Sequence, residues 1–286
     1  MSSMKTFGAD GGLPRRQFLR QSALATAAVV GVATHAAEPR KARVAVSLDL
    51  EMSRNFPAWE QTHWDYEKGN LDEATKRYAV EVARRVKARG GVVHFFLVGR
   101  ALEQENVGWL KQLIADGHRV GNHTYDHVNV KAAKADQIQF RFQRAPWLIA
   151  GKEPAAVVRE NIQQCTAAMK SRLGVAPNGF RTPGGFGNGL ADAPQVQKIL
   201  RELGFTWCSS KYPAHAAPKP GEEPDASVVA DIVRAQAEAQ PFRYPSGLVE
   251  VPMSPISDIG AFRTGRWKLE WFLRVTRAAV EHCIER

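Results

Sequence analysis

The chain predicts an α/β fold in which a parallel sheet is wrapped by helices, either left open or closed as a barrel. Two observations carry that expectation. Strand-like and helix-like segments alternate from residue 43 onward, and Gly90-Gly91, Gly117 and Gly204 each fall just after a helical run, where a left-handed cap is wanted. The run Val44-Ala45-Val46-Ser47-Leu48-Asp49-Leu50-Glu51 opens the series as a buried strand near 43–49 that ends in two carboxylates. A helix near 72–89, a strand near 91–98 and a helix near 105–116 follow, and the short apolar run Gly117 to Val120 leads a strand near 118–122. A helix near 153–173, a strand near 178–181, a helix near 192–203 and a strand near 205–210 continue the pattern. The segment 210–225, rich in Pro and Ala, is a surface loop; beyond it come a helix near 225–239, a strand near 248–252 and a last helix from about 266.

At 286 residues and 44% hydrophobic content the chain can bury one sizeable core, as a single large domain or two small ones. Its first residues are read apart from that core. Arg15-Arg16-Gln17-Phe18-Leu19 is a twin-arginine pattern, followed by the weakly apolar stretch Ser22 to Val32 and by Ala36 and Ala37, where a peptidase can cut. Residues 1–36 are therefore expected to be a Tat-type signal and 37–286 the catalytic domain, periplasmic or secreted. The apolar run is far below the roughly 20 residues that span a bilayer, and no later segment looks transmembrane. Removing 1–36 takes out four basic residues and one acidic one, which lowers the formal charge from +10 to about +7. That excess suits an anionic envelope polymer or a membrane surface, or is a solvated basic exterior. With no basic block interleaved with aromatics, nucleic acid is not expected as a partner. Cys165, Cys208 and Cys283 are odd in number and widely spaced, so they read as buried small hydrophobes rather than a disulfide framework.

The chemistry concentrates in three places. In Gly121-Asn122-His123-Thr124-Tyr125-Asp126-His127 two histidines stand four residues apart; on a helical turn that spacing puts both imidazoles on one face, roughly 5–6 Å apart and within reach of one cation. Asp49 and Glu51 are two apart on a strand and project together from its C-terminal end. Phe180-Arg181-Thr182-Pro183-Gly184-Gly185-Phe186 runs a short strand into a glycine-rich turn, placing Arg181 on the same sheet edge, where a guanidinium can hold a carboxylate. The irregular stretch Ser53 to Leu71 carries Phe56, Trp59, His63, Trp64 and Tyr66 and follows the carboxylates directly; its aromatics either stack on sugar rings or pin the loop to the body. Asp126 is read as supporting a histidine ligand or as solvated, and His94 as a satisfied core histidine.

The order D-x-E, H-T-x-x-H, R-T-P-G-G resembles the NodB-type polysaccharide deacetylases, carbohydrate esterase family four, over most of residues 43–252. The resemblance implies a distorted (β/α) barrel of about six or seven parallel strands and a hydrolase that removes N-acetyl groups from amino sugars of a polysaccharide such as peptidoglycan or poly-N-acetylglucosamine. It implies Asp49 as general base, Arg181 as the residue that orients it, His123 and His127 as metal ligands, and Glu51 or Asp49 as the acidic ligand. Trp59, Trp64, Pro183 and Trp207 are the expected substrate-binding residues. Zinc is the expected ion from the ligand types, with manganese, cobalt or nickel as alternatives. Here Leu50 separates the two carboxylates and the second is Glu, a pattern of a divergent branch that resembles some peptidoglycan deacetylases and allantoinase-like amidases. The family's closing strand with a leucine and a general-acid histidine has no counterpart, His282 lying on a helix, so the sequence reads as truncated with its last strand missing. The alternatives are a non-carbohydrate amidase of the same fold, opening a cyclic ureide or imide, and an inactive carbohydrate-binding homologue.

Overall fold

In the computed structural model the residues described are 41, 43–53 and 64–285, the side chains of Trp64 and Asp65 excepted. The expected leader 1–36 and the loop residues Phe56, Trp59 and His63 lie outside them. In chain order the elements are β1 (Val46–Leu50), α1 (Trp64–Glu67), α2 (Glu73–Lys87), β2 (Val93–Leu97), α3 (Gly108–Ala115), β3 (Arg119–Asn122), α4 (Phe140–Arg144), α5 (Pro154–Leu173), β4 (Gly179–Phe186), α6 (Pro194–Glu202), β5 (Trp207–Lys211), α7 (Ala226–Ala235), β6 (Phe242–Arg243), β7 (Val249–Glu250) and α8 (Leu269–Glu285). The sheet runs β1-β2-β3-β4-β5-β7-β6, parallel throughout except for the β6 edge, and curls into a half-barrel.

Helix boundaries follow local chemistry. Asp72 caps α2 through the Thr75 amide, Asp225 caps α7 through the Val228 amide, Pro154 and Pro194 occupy the first turns of α5 and α6, and Gly174 ends α5 in a left-handed cap. The outward face of the sheet is packed by helices: Leu50, Val93, Phe95 and Leu97 meet Ala79 and Ala83 of α2, Leu110 and Leu113 of α3, and Cys165 and Met169 of α5. Farther along, Phe180 and Cys208 meet Val158 and Ile162 of α5 and Ile199 and Leu200 of α6. Phe95 and Leu97 are fully buried, and each such side chain stabilises the fold by roughly 1.5–3 kcal/mol relative to exposure. The inward face, set by the two-residue alternation, carries Ser47 and Asp49, then His94 and Phe96, then Arg181, then Trp207 and Ser209.

Three expectations change. β1 is not a buried strand: it is the sheet's edge among the described residues, with Val46 36% exposed and Val44, just before it, 62% exposed, and its burial is confined to Leu50 on the helix side. The strand expected at 178–181 continues to Phe186, because its ladder with β5 is interrupted between Arg181 and Phe186 by an irregularity that contains Gly184 at φ +78 and is then resumed. The short antiparallel β6 was not expected; two residues give no periodicity to detect. No described helix is long and apolar enough to cross a membrane.

Candidate metal centre

The carboxyl ends of β1 and β3 meet Arg181, which is the third residue of β4 at the start of its irregularity rather than at the strand's end as expected, at one edge of the half-barrel. Parallel register brings this about: Asp49 is level with Phe96, Phe96 with Gly121, and Arg181 with Ser209. Gly121 is required in that row, since a Cβ there would come within 2.6 Å of His94 Nε2 and 2.7 Å of the Phe96 ring.

The two histidines stand on a loop rather than the expected helical turn. After β3 the backbone is irregular, and Thr124 (φ 60) and His127 (φ 59) both adopt left-handed conformations that side-chain-bearing residues rarely take. The loop is held in this shape by buried hydrogen bonds. Asn122 Oδ1 accepts from the Thr124 amide, Thr124 Oγ1 accepts from the Val128 amide, and Asn161 Oδ1 on α5 accepts from the Tyr125 and Asp126 amides. These bonds offset a backbone strain of order 1–3 kcal/mol per residue and turn His127 back over His123, ring centroids 4.9 Å apart.

Glu51, His123 and His127 form the cluster, their ligand atoms all within 4.8 Å of one another. His127 Nε2 is 2.6 Å from Glu51 Oε2, and His123 Nε2 is 3.8 Å from the same oxygen. His123 Nδ1 lies 2.9 Å from the Arg181 carbonyl, which accepts only from a protonated Nδ1, so the Nε2 lone pair faces the cluster. Two imidazoles and a carboxylate, one imidazole fixed in the ligating tautomer, fit a zinc-type ion by donor type and number. Asp49 stands beside the cluster. Its Oδ1 accepts from Arg181 Nη1 at 2.9 Å, and its Oδ2 is 4.0 Å from His123 Nε2. Arg181 is itself fixed by Ser47 Oγ (2.8 Å) and Ser209 Oγ (3.0 Å) and lies over the Phe96 ring at 4.4 Å.

Lys68, which sequence reasoning passed over, places its ammonium 2.6 Å from Glu51 Oε2 with a side chain only 2% exposed. The next residue, Gly69, donates its amide to the Glu51 carbonyl; at φ +89 and with a virtual Cβ 2.3 Å from Arg100 Cβ, it tolerates no side chain. Burial opposes ionisation of Glu51, but His127 and the Lys68 ammonium outweigh it and hold the carboxyl well below the usual carboxylate range. Burial, reinforced by Lys68, pushes His127 down to about 4 against the pull of Glu51. Ser47 and Ser209, which hold Arg181, were also missed, as isolated serines on strands carry no spacing signal.

Other expected residues fall elsewhere. Pro183 is buried within the β4 irregularity. Trp207 pairs with Gly179, two residues before the Arg181 level, and packs edge-on against His94 and Phe96, which puts it in the floor of the half-barrel. Trp59 and the Trp64 side chain lie outside the described residues; Tyr66, on α1, is exposed under the Arg144 guanidinium, 4.9 Å from the ring centroid. Asp126 neither supports a histidine nor is solvated. It is buried, and accepts from Arg100 Nε, Arg141 Nη1 and Asn161 Nδ2 on the outer side of the loop. His94 is not a satisfied histidine, since its Nε2 is buried without a partner.

Burial, with Arg181 and Arg119 nearby, pushes His94 down to about 4. The unfolded chain therefore takes up a proton at this residue near its ordinary pKa of about 6.5 while the folded protein does not, so stability is full above that pH and falls between about 6.5 and 4. The loss expected from His94 approaches about 3 kcal/mol. Urea unfolding of the metal-free protein at pH 7 and pH 4.5 checks this: His94→Gln should lose visibly less stability than the wild type over that interval, and equal losses would refute it.

A curled parallel α/β sheet with paired carboxylates and histidines at its carboxyl edge defines a half-barrel with a candidate hydrolytic metal site. Residues 69–207 match the family model for polysaccharide deacetylase. Among solved structures, IcaB from Ammonifex degensii is 28% identical over 49% of this chain and 55% of its own, with a TM-score of 0.35, so this chain spans about half of IcaB. A polysaccharide deacetylase structure from Mycobacterium smegmatis is 15% identical over 86% of this chain and 74% of that one, with a TM-score of 0.50, a likeness of fold. No curated protein matches the chain.

Proposed function

We propose that this protein is a metal-dependent hydrolase that removes N-acetyl groups from amino sugars of an envelope or extracellular polysaccharide, such as peptidoglycan or poly-N-acetylglucosamine. The observation that carries the reading is the convergence of Glu51, His123 and His127 within 4.8 Å beside an Asp49 that Arg181 holds by one oxygen. The family match supports an amide-cleaving deacetylase, and the twin-arginine pattern Arg15-Arg16 supports export by the Tat route.

Glu51, His123 and His127 would hold the ion, zinc by donor type. When bound, such an ion supplies Lewis acidity, lowering the pKa of water from about 15.7 toward 7 and polarising an acyl oxygen. The chain's own contribution is positional. Arg181, bonded on both sides by Ser47 and Ser209, occupies Asp49 Oδ1 and leaves Oδ2 turned toward the histidines. Asp49 Oδ2 would take the proton of the attacking water. Water adds to the acetyl carbonyl, the C–N bond breaks, and acetate and the free amine leave, the amine having gained one proton. Deacetylation turns a neutral amide into an ammonium on the sugar, so the product carries positive charge.

Acetate release from N-acetylglucosamine oligomers and from peptidoglycan, with zinc or cobalt added, tests the reading. Release that requires both the metal and His123, lost in His123→Ala, is the expected result. Stoichiometric metal with no acetate from either glycan would count against the carbohydrate substrate, and turnover of a cyclic ureide or imide would replace it with the amidase reading.

A further inference from the structure

We propose that Lys68 acts as a resident cation of the metal centre, holding Glu51 in its ligating position in the metal-free protein and setting how tightly a divalent ion is bound there. The inference rests on reading Glu51, His123 and His127 as the metal site. Its observation is separate: the ammonium stands 2.6 Å from Glu51 Oε2, the same oxygen that lies 2.6 Å from His127 Nε2 and 3.8 Å from His123 Nε2. Lys68 is thus a positive charge already seated at the oxygen through which Glu51 faces both imidazoles.

The seating is built in. Lys68 closes the turn after α1, its side chain is 2% exposed, and the neighbouring Gly69 amide donates to the Glu51 carbonyl. Gly69 is locked by its positive φ and by the Arg100 and Ala101 backbone within 2.8 Å of any added Cβ. Lys68 and Gly69 therefore grip Glu51 by side chain and main chain together. The buried ammonium and the part-buried carboxylate both lose hydration that their contact helps to compensate. An incoming divalent ion must share Oε2 with the ammonium and meets its repulsion in a poorly screened site, which weakens binding relative to the same three ligands alone. The gain is pre-organisation, because the carboxylate does not have to be ordered when the ion arrives.

A lysine that merely braces the fold gives a different result from one that competes with the ion. The test is a zinc titration of chelator-stripped protein against a chromophoric competing chelator, with wild type, Lys68→Met, Lys68→Arg and His123→Ala. Lys68→Met keeps the length and removes the charge; it should bind zinc at least roughly tenfold more tightly, and Lys68→Arg, which keeps the charge, should stay within about threefold of wild type. The metal-free Lys68→Met protein should melt lower than wild type yet gain more on saturation with zinc. Should methionine not fold, Lys68→Gln gives the same comparison. Unchanged or weaker zinc binding by the uncharged variant, with the wild-type signal lost in His123→Ala, would overturn the role of Lys68 and leave the metal site standing. A zinc signal that survives His123→Ala would remove the metal site and this inference with it.

Discussion

Replacing Asp49 by asparagine should cut acetate release by about 10³-fold, within the 10²–10⁴ span of a positioned general base, and leave zinc stoichiometry unchanged. The carboxamide is close in shape to the carboxylate, so Arg181 keeps its bonds to Ser47 and Ser209 and its place over Phe96, and the fold is expected to survive. Only the proton-accepting oxygen is lost. The variant also separates the two carboxylates. Asp49 is occupied by Arg181 and lies outside the compact cluster, whereas Glu51 lies within it. Acetate assays run beside metal analysis of the same preparation decide between them: loss of both activity and zinc in Asp49→Asn would make Asp49 a ligand and reverse the assignment.

His127→Ala should be more severe for the metal. Zinc content should fall from one equivalent toward zero and acetate release below detection, because two ligands from Glu51 and His123 do not make a stable site for this ion. The substitution also removes the group 2.6 Å from Glu51 Oε2, but Lys68 stays on that oxygen, so the carboxylate keeps a partner and the protein should still fold. Alanine has less freedom than glycine at φ 59, and the backbone bonds from Asn122, Thr124 and Asn161 are independent of the imidazole. Circular dichroism alongside metal analysis checks both halves; a full equivalent of zinc in folded His127→Ala would exclude His127 as a ligand.

Much of this was legible in the chain itself. Alternating apolar segments with glycine stops yielded the order of the major strands and helices, as local hydrophobic period and capping chemistry act over a few residues. The D-x-E, H-T-x-x-H and R-T-P-G-G motifs marked the residues that the fold gathers at one edge, since parallel strands present their carboxyl ends on the same side. Lys68 was not legible. It is 17 residues from Glu51 in a stretch noticed for its aromatics, and no spacing relates an ammonium in a turn to a strand-end carboxylate.

By itself the sequence determined the fold class and pointed to Asp49, Glu51, His123, His127 and Arg181 as candidate site residues, because each depends on short-range pattern or on a motif within a few residues. Only the tertiary structure decided that the histidines converge through a strained loop rather than a helical turn, because Asn161, far along the chain on α5, supplies the acceptor that holds the loop. It also decided that Trp207 belongs to the floor, that Asp126 faces outward to Arg100 and Arg141, and that Glu51 is already held by a buried lysine. Those outcomes depend on strand register and on which distant groups share a buried site, and neither is encoded in local spacing.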